Sequence, residues 1–356
     1  MMEFLRNTWY VAMWSQDLKA GELVGRTYLN EPVVMFRDPD GRVNAMQDVC
    51  PHRLAPLSMG KLVCEGKHIR CAYHGLEFDG AGKCAHNPHA SGRIPKNSDV
   101  RAYSVVEKHS LIWIWMGDEQ PDASKIPDFS LLEGDLPVSK RDWMKMEANY
   151  QLIVDNLLDV SHTAFLHEGL LGGPDTIKGN MKVVPKETKN ALLIERWIDN
   201  IPVPKFFDLL FKRDGQRVDN WMNMTWQMPA CLTNDTGVTS PGKPRGEGTG
   251  IFGMHFITPE TDRSSWYHFA AVRQNPISLG EPGDSETMKQ IAELRRYAFE
   301  VQDKGIIEGQ QRILDIPRFK DEPFVPLETD LGTVSIRRHL QDLIDAEKKE
   351  KTAVAA

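Results

Sequence analysis

The chain has 356 residues, which at about 150 residues per domain is enough for two domains with a substantial core. Charged residues make up 26% and hydrophobic residues 41%, so the composition excludes a collagen, a coiled coil and a disordered chain. With 43 Lys and Arg against 50 Asp and Glu, the net charge is −7, which argues against nucleic-acid binding because phosphate recognition depends on clustered cations.

The N-terminal part of the chain predicts a small all-β domain. Short β-type runs occur at 33–37 and 43–46, separated by a DPDG turn, and again at 110–115. A polar, Pro-containing segment at 117–127 predicts a connection, so we place the domains at 1–120 and 121–356. The start has no apolar core of signal-peptide length, and no segment approaches about eighteen uncharged apolar residues, which predicts a cytoplasmic protein without a membrane span.

The C-terminal part predicts a mixture of helices and strands, and hence an α+β protein. Apolar periodicity indicates helices at 150–162, 285–314 and 336–347. Residues 222–228 alternate between apolar and polar side chains, as a half-buried strand does, and 251–257 and 265–272 predict further strands. The segment 233–250 is rich in Gly, Pro and Thr, and it predicts either a mobile lid over a pocket or a disordered stretch.

Two Cys–His pairs predict a metal centre near the end of the first domain. Cys50 and His52 are followed, after 18 residues, by Cys71 and His74. A [2Fe-2S] cluster in which two His replace two Cys on one iron needs this set of ligands. A structural zinc site needs the same residue types and is the alternative, although zinc fingers usually take two Cys from one loop and two His from the other. Cys64, inside the gap, is interpreted as non-ligating.

A second metal site is indicated by a polar stripe on the apolar helix at 150–162. Asn156, Asp159 and His162 are spaced three residues apart and share one face. His167 lies about 140° further round an ideal helix, so both histidines can bind one ion only if the helix ends or distorts between them. Two His and one carboxylate leave open positions on a non-haem iron. For either histidine alone, the alternative is a hydrogen-bonded core residue.

These motifs resemble those of a known family. Cys50–Arg53 and Cys71–Gly75 resemble the two boxes of Rieske proteins, and the 155–167 segment resembles the mononuclear iron motif of Rieske non-haem iron oxygenases. Over nearly its whole length the chain resembles the vanillate O-demethylase oxygenase branch, which includes dicamba and toluenesulfonate methyl monooxygenases. The resemblance implies an N-terminal Rieske all-β domain and a C-terminal helix-grip domain with an antiparallel sheet.

The resemblance also implies the cofactors and their ligands. It implies a [2Fe-2S] cluster on Cys50, His52, Cys71 and His74, and an Fe(II) on His162, His167 and Asp303. Glu300 and Glu308 remain alternatives to Asp303, because the family usually reads Glu-Asp where this chain has Gln302 followed by Asp303.

The activity implied is O2- and NADH-dependent O-demethylation of a methoxylated aromatic acid, by methyl hydroxylation and release of formaldehyde. A flavin and iron-sulfur reductase would supply electrons to a homotrimer, in which Asp159 bridges the cluster of one subunit to the iron of the next. Asn156 would lie near the oxygen site, and His255 matches a position that contacts the substrate's anionic group in some relatives, with a buried structural histidine as the alternative. Trp226 and Trp266 are candidates for the wall of an aromatic-sized cavity, with the plain core as the alternative for such side chains.

Other functions remain open from the sequence alone. An aryl-methyl hydroxylase and a ring-hydroxylating dioxygenase are the nearest alternatives, since both use the same two metal centres. An electron-transfer Rieske protein and a zinc-stabilised binding protein are alternatives from other classes. Metal analysis separates these classes, because an oxygenase carries a mononuclear iron in addition to its cluster.

Overall fold

The computed structural model describes residues 4–185, 190–320 and 322–355, and it divides into two compact units. The first unit ends at Asp128 and also takes in Thr258–Asp262, while the second comprises Phe129–Ile257 and the chain from Arg263 onward. The predicted boundary near residue 120 lies close to the end of the first unit. The return of Thr258–Asp262 to that unit has no local sequence signal.

The first unit is built from short antiparallel strands. Its strands are β1 (Trp9–Trp14), β2 (Leu23–Tyr28), β3 (Glu31–Arg37), β4 (Val43–Gln47), β5 (Lys61–Val63), β6 (His68–Arg70), β7 (Glu77–Asp79), β8 (Cys84–His86), β9 (Ala102–Lys108) and β10 (Leu111–Trp115). One sheet has the order β1-β10-β9-β4-β3-β2 and the other the order β5-β6-β7-β8. The strands predicted at 33–37, 43–46 and 110–115 are confirmed as β3, β4 and β10.

The core of the first unit lies directly beneath the cysteine loops. Cys50 and Cys71 are themselves members of a buried apolar cluster that includes Phe36, Leu57 and Phe78. Burial of these large side chains between the strands is the main source of stability of such a small domain. The apolar packing therefore fixes the two sulfur atoms in place from below.

The second unit contains one seven-stranded sheet and the helices that pack with it. Its strands are β11 (Asp142–Met146), β12 (Asn180–Pro185), β13 (Ala191–Pro202), β14 (Arg217–Gln227), β15 (Cys231–Thr239), β16 (Thr249–Thr261) and β17 (Ser264–Gln274). Its helices are α1 (Tyr150–Leu158), α2 (Lys205–Leu210), α3 (Gly283–Tyr297), α4 (Lys304–Leu314) and α5 (Leu331–Ala355). The sheet order is β11-β17-β16-β15-β14-β13-β12. The predicted α+β class is confirmed.

The prediction of a lid or a disordered stretch at 233–250 is wrong. β15 pairs along its length with β14 and β16, and β16 begins at Thr249, so only a short connection remains between β15 and β16. The Thr and Val side chains of this segment favour a strand, and Gly237 has a packing role within it. A Cβ at Gly237 would collide with the ring of Trp221 on the neighbouring strand. Glycine here allows two strands to approach closely, and it does not mark a loop.

The helices differ from the predictions at their ends. The helix predicted at 150–162 ends at Leu158, and a 3₁₀ helix at Val160–Ala164 follows it. The helix predicted at 285–314 is continuous, but Ala298–Asp303 forms a π-helical segment between α3 and α4. Among the residues described, no helix combines the length and the apolar character that crossing a membrane requires.

Candidate metal centres and the adjoining cavity

Cys50 and Cys71 lie at the starts of two loops with the same backbone hydrogen bonds. In each loop the cysteine N–H donates to the carbonyl five residues later, at 2.8 Å for both, and the cysteine carbonyl accepts from the N–H four residues later, at 2.9 and 3.0 Å. The residue at that fourth position has a positive φ in both loops, 58° at Leu54 and 75° at Gly75. Two copies of one tight loop therefore present the two sulfur atoms.

The four predicted ligands of this centre are arranged with the thiols inside and the imidazoles outside. Both cysteines are 2% exposed, whereas His52 is exposed and His74 is half-buried. The two imidazole rings lie 4.4 Å apart between centroids. Burial, together with the neighbouring thiol of Cys71, raises the pKa of Cys50 to about 11. A bound metal would reverse this preference, because a coordinating thiol is deprotonated.

The donor geometry fits a two-iron cluster better than a single zinc ion. Donor atoms around one zinc lie within about 4 Å of one another, given a metal–ligand distance near 2.3 Å. All four of these residues are described by the structure, and no three of them bring their donor atoms within 4.8 Å of one another. Cys64 turns away from this centre, with its Sγ 3.7 Å from Oε2 of Glu77.

A second cluster of donors forms in the C-terminal unit, from segments far apart in the sequence. His162 lies in the 3₁₀ helix, His167 in the turn after it, and Asp303 at the end of the π-helical segment. Oδ1 of Asp303 is 3.6 Å from Nε2 of His162 and 3.2 Å from Nε2 of His167. All three donor atoms lie within 4.8 Å of one another. In a regular helix the side chains of His162 and His167 would point about 140° apart. Because α1 ends before His162, both side chains can instead approach Asp303.

Hydrogen bonds to the far side of each ring orient these histidines. Nδ1 of His162 bonds to the backbone carbonyl of Asp159, and Nδ1 of His167 lies 2.8 Å from Oε1 of Gln302. The amide nitrogen of Gln302 in turn donates to the carbonyl of Leu166 at 2.8 Å. Both rings thus have an oxygen acceptor at Nδ1 and direct Nε2 toward Asp303, so Nε2 is the atom with which each ring can bind a metal, which is the arrangement that metal-ligating histidines need.

Asn156 completes the group by donating from Nδ2 to Oδ1 of Asp303 at 3.1 Å. Burial lowers the pKa of His162, although the charge of Asp303 opposes this effect. Burial would also lower the pKa of His167, but the hydrogen bond with Asp303, its charge and the contact with Gln302 raise it overall. The carboxylate of Asp303 therefore favours a positive charge between the two rings. A bound divalent cation would supply that charge.

The structure separates Asp303 from its two alternatives. Glu300 lies on the outer side of the π-helical segment, where it accepts from Nη2 of Arg296 at 2.9 Å. Glu308, on α4, accepts from the backbone N–H of Glu147 at 2.9 Å. Neither belongs to the group of donors around His162 and His167. Among these three carboxylates, Asp303 is the one that the fold brings to the histidines.

A cavity adjoins the His162–His167–Asp303 group, and its walls are mainly apolar. His255 lines it, as do Asn156 and Asn234. Further lining side chains are Leu157, Phe206, Met222, Met224, Ile251 and Phe299. Such a site, apolar with a few polar groups, is typical of a pocket for a small organic molecule.

The two predicted tryptophans lie elsewhere. The indole N–H of Trp226 donates to the carbonyl of Pro229 at 3.2 Å, and Trp266 packs edge-on against Trp143 with 5.6 Å between ring centroids. Neither is among the residues that line the cavity. Asp159 is partly exposed, and its Oδ1 caps the 3₁₀ helix by accepting from the N–H of Ser161 at 3.0 Å.

Two residues with a place in this site were missed from the sequence. Gln302 orients His167, and Arg295 lines the cavity from α3. The sequence shows that Gln302 stands where the family usually has glutamate, but it gives no sign that this side chain contacts His167. Arg295 lies next to Arg296 on a helix rich in charged residues, so its position toward the cavity could not be distinguished from a solvated one.

Comparisons with known proteins agree with this arrangement. The Rieske [2Fe-2S] domain family matches residues 8–104, and the vanillate O-demethylase oxygenase C-terminal domain family matches residues 146–346. The chain is 33% identical over 356 residues to the oxygenase component of chloroacetanilide N-alkylformylase from Rhizorhabdus wittichii, covering 99% of each protein. It is 35% identical to the oxygenase component of dicamba O-demethylase from Stenotrophomonas maltophilia, covering 87% of this chain and 89% of that protein.

A solved structure is similar over nearly the whole chain. The crystal structure of dicamba monooxygenase bound to 3,6-dichlorosalicylic acid superposes with a TM-score of 0.90 at 31% identity. The superposition covers 98% of this chain and 99% of that one.

Proposed function

Because this chain belongs to the Rieske non-haem iron oxygenases that carry a vanillate O-demethylase oxygenase C-terminal domain, we propose that it O-demethylates a methoxylated aromatic acid. The family resemblance, the oxygenase class and the two cofactors predicted from the sequence, a Rieske [2Fe-2S] cluster and a non-haem iron, are confirmed. The chain is the oxygenase component of a multicomponent monooxygenase system. What we propose beyond this is the substrate, a methoxylated aromatic acid, and the bond that is cleaved, its methyl ether.

The observation that carries this proposal is the position of the His162–His167–Asp303 group on an apolar cavity. Two imidazole donors and one carboxylate face that cavity together, and its other walls carry aliphatic and aromatic side chains. An aromatic ether is the kind of molecule that such walls bind, and its methyl group is the kind of group that a non-haem iron oxygenase attacks.

We assign the cluster to Cys50, His52, Cys71 and His74, and the iron to His162, His167 and Asp303. When bound, the cluster supplies electrons and the iron activates O2. Asn156 holds Oδ1 of Asp303 through its amide, and Gln302 keeps the proton of His167 on Nδ1. These two contacts fix the donors before any ligand arrives, which lowers the reorganisation that binding requires.

The proposed reaction converts an aryl methyl ether, O2, two electrons and two protons into a phenol, formaldehyde and water. The apolar side chains of Leu157, Met222 and Phe299 keep bulk water away from the substrate. Exclusion of water protects reactive species from side reactions and strengthens electrostatic interactions in the site. The buried positions of His167 and Asp303, 1% and 4% exposed, serve the same purpose.

The partners belong to the proposal as well. A flavin and iron-sulfur reductase would pass electrons from NADH to the cluster of a homotrimer. The expected route runs from His74 of the partner subunit to Asp159 and then to His162. The partial exposure of the Asp159 carboxylate supports this route, although within the chain it is the backbone carbonyl of Asp159 that bonds to Nδ1 of His162, while the carboxylate accepts from Ser161. The cytoplasmic location stays a prediction.

The proposal is tested with purified protein, a reductase, NADH and a panel of methoxybenzoates. Substrate-dependent NADH oxidation with one formaldehyde released for each substrate consumed supports O-demethylation. A hydroxymethyl product from a methylbenzoate, or a cis-diol, without formaldehyde from any methoxybenzoate, assigns the enzyme to methyl or ring hydroxylation instead. His162→Ala provides the control, because it should remove turnover while the visible absorption of the cluster remains.

A further inference from the structure

A third group of metal-binding side chains lies in the first unit, on the small sheet formed by β5 to β8. Cys64 begins the 3₁₀ turn Cys64–Gly66 that follows β5, His68 begins β6, and Glu77 begins β7. Each of the three residues offers a donor atom that lies within 4.8 Å of the donor atoms of the other two. None of them is assigned to the cluster or to the iron.

The distances within this group match the coordination of a single metal ion. Oε2 of Glu77 lies 3.7 Å from Sγ of Cys64 and 3.8 Å from Nδ1 of His68. Donor atoms around one zinc ion lie within about 4 Å of one another, given metal–ligand distances of about 2.0 to 2.3 Å. At 3.8 Å the contact between nitrogen and oxygen is too long for a hydrogen bond. A cation between the donors therefore fits these separations better than direct bonding does.

The ring of His68 has a buried nitrogen that the rest of the fold does not use. Nδ1 is buried and has no hydrogen-bond partner among the residues that the structure describes, although the side chain as a whole is 26% exposed. Buried polar atoms are nearly always paired, because leaving one unpaired costs the hydration it had in water. Coordination of a cation by Nδ1 of His68 removes that cost.

The carboxylate of Glu77 is held in place through its other oxygen. Glu77 is 4% exposed, and Arg70, its partner across the β6–β7 ladder, donates from Nε to Oε1 at 2.8 Å. Burial alone would raise the pKa of Glu77, but the hydrogen bond and the charge of Arg70 lower it overall, so the carboxylate is ionised at neutral pH. Arg70 thus orients Glu77 and leaves Oε2 directed at Cys64 and His68, as residues outside a ligand set commonly do.

Cys64 supplies the sulfur donor from a strained turn. Its φ is 51° and that of Glu65 is 57°, a left-handed conformation that is uncommon for residues other than glycine and persists only where the surroundings hold it. Partial desolvation and the charge of Glu77 raise the pKa of the Cys64 thiol, so a metal ion must displace the thiol proton, which is released to solvent. The resulting bond between metal and thiolate holds the turn in this conformation.

We propose that Cys64, His68 and Glu77 form a further metal site, which binds a zinc ion in addition to the cluster and the iron. A thiolate, an imidazole and a carboxylate are ligands that zinc accepts, and the exposure of Cys64 leaves a fourth position for water. Cys64 stays a non-ligand of the cluster, as the sequence predicts. The ion ties the turn after β5 to β6 and β7, and it thereby stabilises the segment that leads directly into Cys71.

The test measures zinc binding by the holoprotein, with its cluster and Fe(II) in place, after anaerobic dialysis against micromolar free Zn²⁺. Zinc, iron and acid-labile sulfide are then determined for the wild type and for Cys64→Ser. We expect the wild type to retain about one more zinc ion per chain, because zinc bound elsewhere cancels in the comparison. His68→Gln should lower the affinity of this site by about 100-fold or more, since loss of a ligand costs more than the 10- to 100-fold typical of residues that only orient one.

The reactivity of Cys64 gives a second readout that is specific to one residue. Cys64 is exposed and the other four cysteines are buried, so iodoacetamide should modify Cys64 first in the zinc-free holoprotein, as located by mass spectrometry of its peptides. Saturating Zn²⁺ should slow this alkylation by about tenfold or more, because the thiolate is then bound to the metal. Glu65→Gln is the matched control. It removes the exposed charge next to Cys64 without removing a donor, and it should keep both the zinc and the protection.

Three results would overturn the inference: equal zinc content in the wild type and Cys64→Ser, alkylation of Cys64 at the same rate with and without Zn²⁺, or equal loss of zinc from Glu65→Gln and His68→Gln. The last result would assign the binding to general negative charge and not to these donor atoms. The visible absorption of the cluster shows that each variant is folded. If His68→Gln does not assemble the cluster, the zinc content of Cys64→Ser and the alkylation of the wild type decide the question.

Discussion

The two candidate metal centres differ in the exposure of their ligands and in the sequence distance between them. The four ligands of the proposed cluster fall within Cys50–His74, and their histidines lie at or near the surface. The ligands of the proposed iron are His162, His167 and Asp303, and they are largely buried. They come from segments far apart in the sequence, since His167 bonds to Gln302, which lies next to Asp303 and 135 residues away along the chain. An electron can enter through an exposed imidazole, whereas oxygen chemistry needs a site from which water is excluded.

Each centre is stabilised in the way its task requires. Short loops with matching backbone hydrogen bonds hold the sulfur atoms and leave the histidine rings outward. In the second unit, side-chain hydrogen bonds from α1 and from the π-helical segment hold the donors inside the protein. Changes at one centre should therefore leave the other intact.

The largest effect is expected from Asp303→Ala. Loss of the carboxylate leaves two histidines without a charge partner, so the iron should be lost and turnover should fall to background. Iron per acid-labile sulfide should then decrease by about a third, while the visible absorption of the cluster persists. Glu300→Ala, on the same π-helical segment but facing Arg296, is the matched control and should retain both iron and turnover. Retention of iron by Asp303→Ala would remove this residue from the proposed ligands.

Asp159→Asn should reduce turnover by about 100-fold or more while both metals stay bound. Asparagine caps a helix as well as aspartate does, so the 3₁₀ helix that carries His162 should be preserved. The backbone carbonyl that bonds to Nδ1 of His162 also remains, so what is lost is the negative charge that the proposed route places between the two metal centres. Single-turnover reduction of the iron by a pre-reduced cluster measures the step directly. Ser161→Ala removes a contact of Asp159 without changing its charge, and the proposed bridge is refuted if both variants lose turnover equally.

Gln302→Leu should reduce iron affinity or turnover by about 10- to 100-fold, because His167 loses the acceptor that fixes its orientation. Gln302→Glu keeps an acceptor at the same place and should retain most of the affinity. Titration of the iron-free protein with Fe(II), followed by metal analysis, distinguishes the two variants. Equal affinity in Gln302→Leu and the wild type would show that the contact with Gln302 is not needed.

The smallest effect concerns acid sensitivity of the buried region. Burial lowers the pKa of His255 below 6.5, so the unfolded chain takes up a proton as the pH falls through 6.5 and the folded chain does not. Proton uptake by the unfolded state costs the wild type about 1 kcal/mol of stability between about pH 7 and pH 5.5. His255→Asn lacks this component, so its urea midpoint should change less over that range. An identical pH dependence in both proteins would contradict the assignment of a neutral His255.

Features encoded by short spacing could be predicted from the sequence. The cysteine loops depend on hydrogen bonds between residues four and five positions apart, so their chemistry is visible in a short stretch of chain. The positions of His162 and His167 follow from one helix end, and that end was anticipated because a regular helix cannot bring both to one ion. The strand β14 follows from the alternation of side chains at 222–228, and the strands predicted at 251–257 and 265–272 are found as parts of β16 and β17.

Features that depend on packing between distant segments could not be predicted. From the sequence, Gly237 indicates a loop. Its actual role, leaving room for the ring of Trp221 on the neighbouring strand, depends on a contact that the local sequence does not reveal. Arg295 and Arg296 are adjacent and chemically identical, and only the rotation of α3 against the sheet decides which of them is buried. The choice of Asp303 over Glu300 and Glu308 depends in the same way on the direction in which each carboxylate leaves the helix.

The π-helical segment at Ala298–Asp303 sets the direction of two groups of side chains, Asp303 toward the histidines and those of α4 toward the start of α1. Its extra residue per turn lets Asp303 face the histidines while Glu308 and Gln311, further along, bond to the backbone of Glu147 and Asn149. A one-residue deletion that restored α-helical geometry would rotate one half against the other by about 100°. Such a deletion would leave either Asp303 at the histidines or Glu308 and Gln311 at the backbone of Glu147 and Asn149, but not both. In an engineered or evolving version of this enzyme, substitutions in this turn should therefore be tolerated more readily than any change in its length.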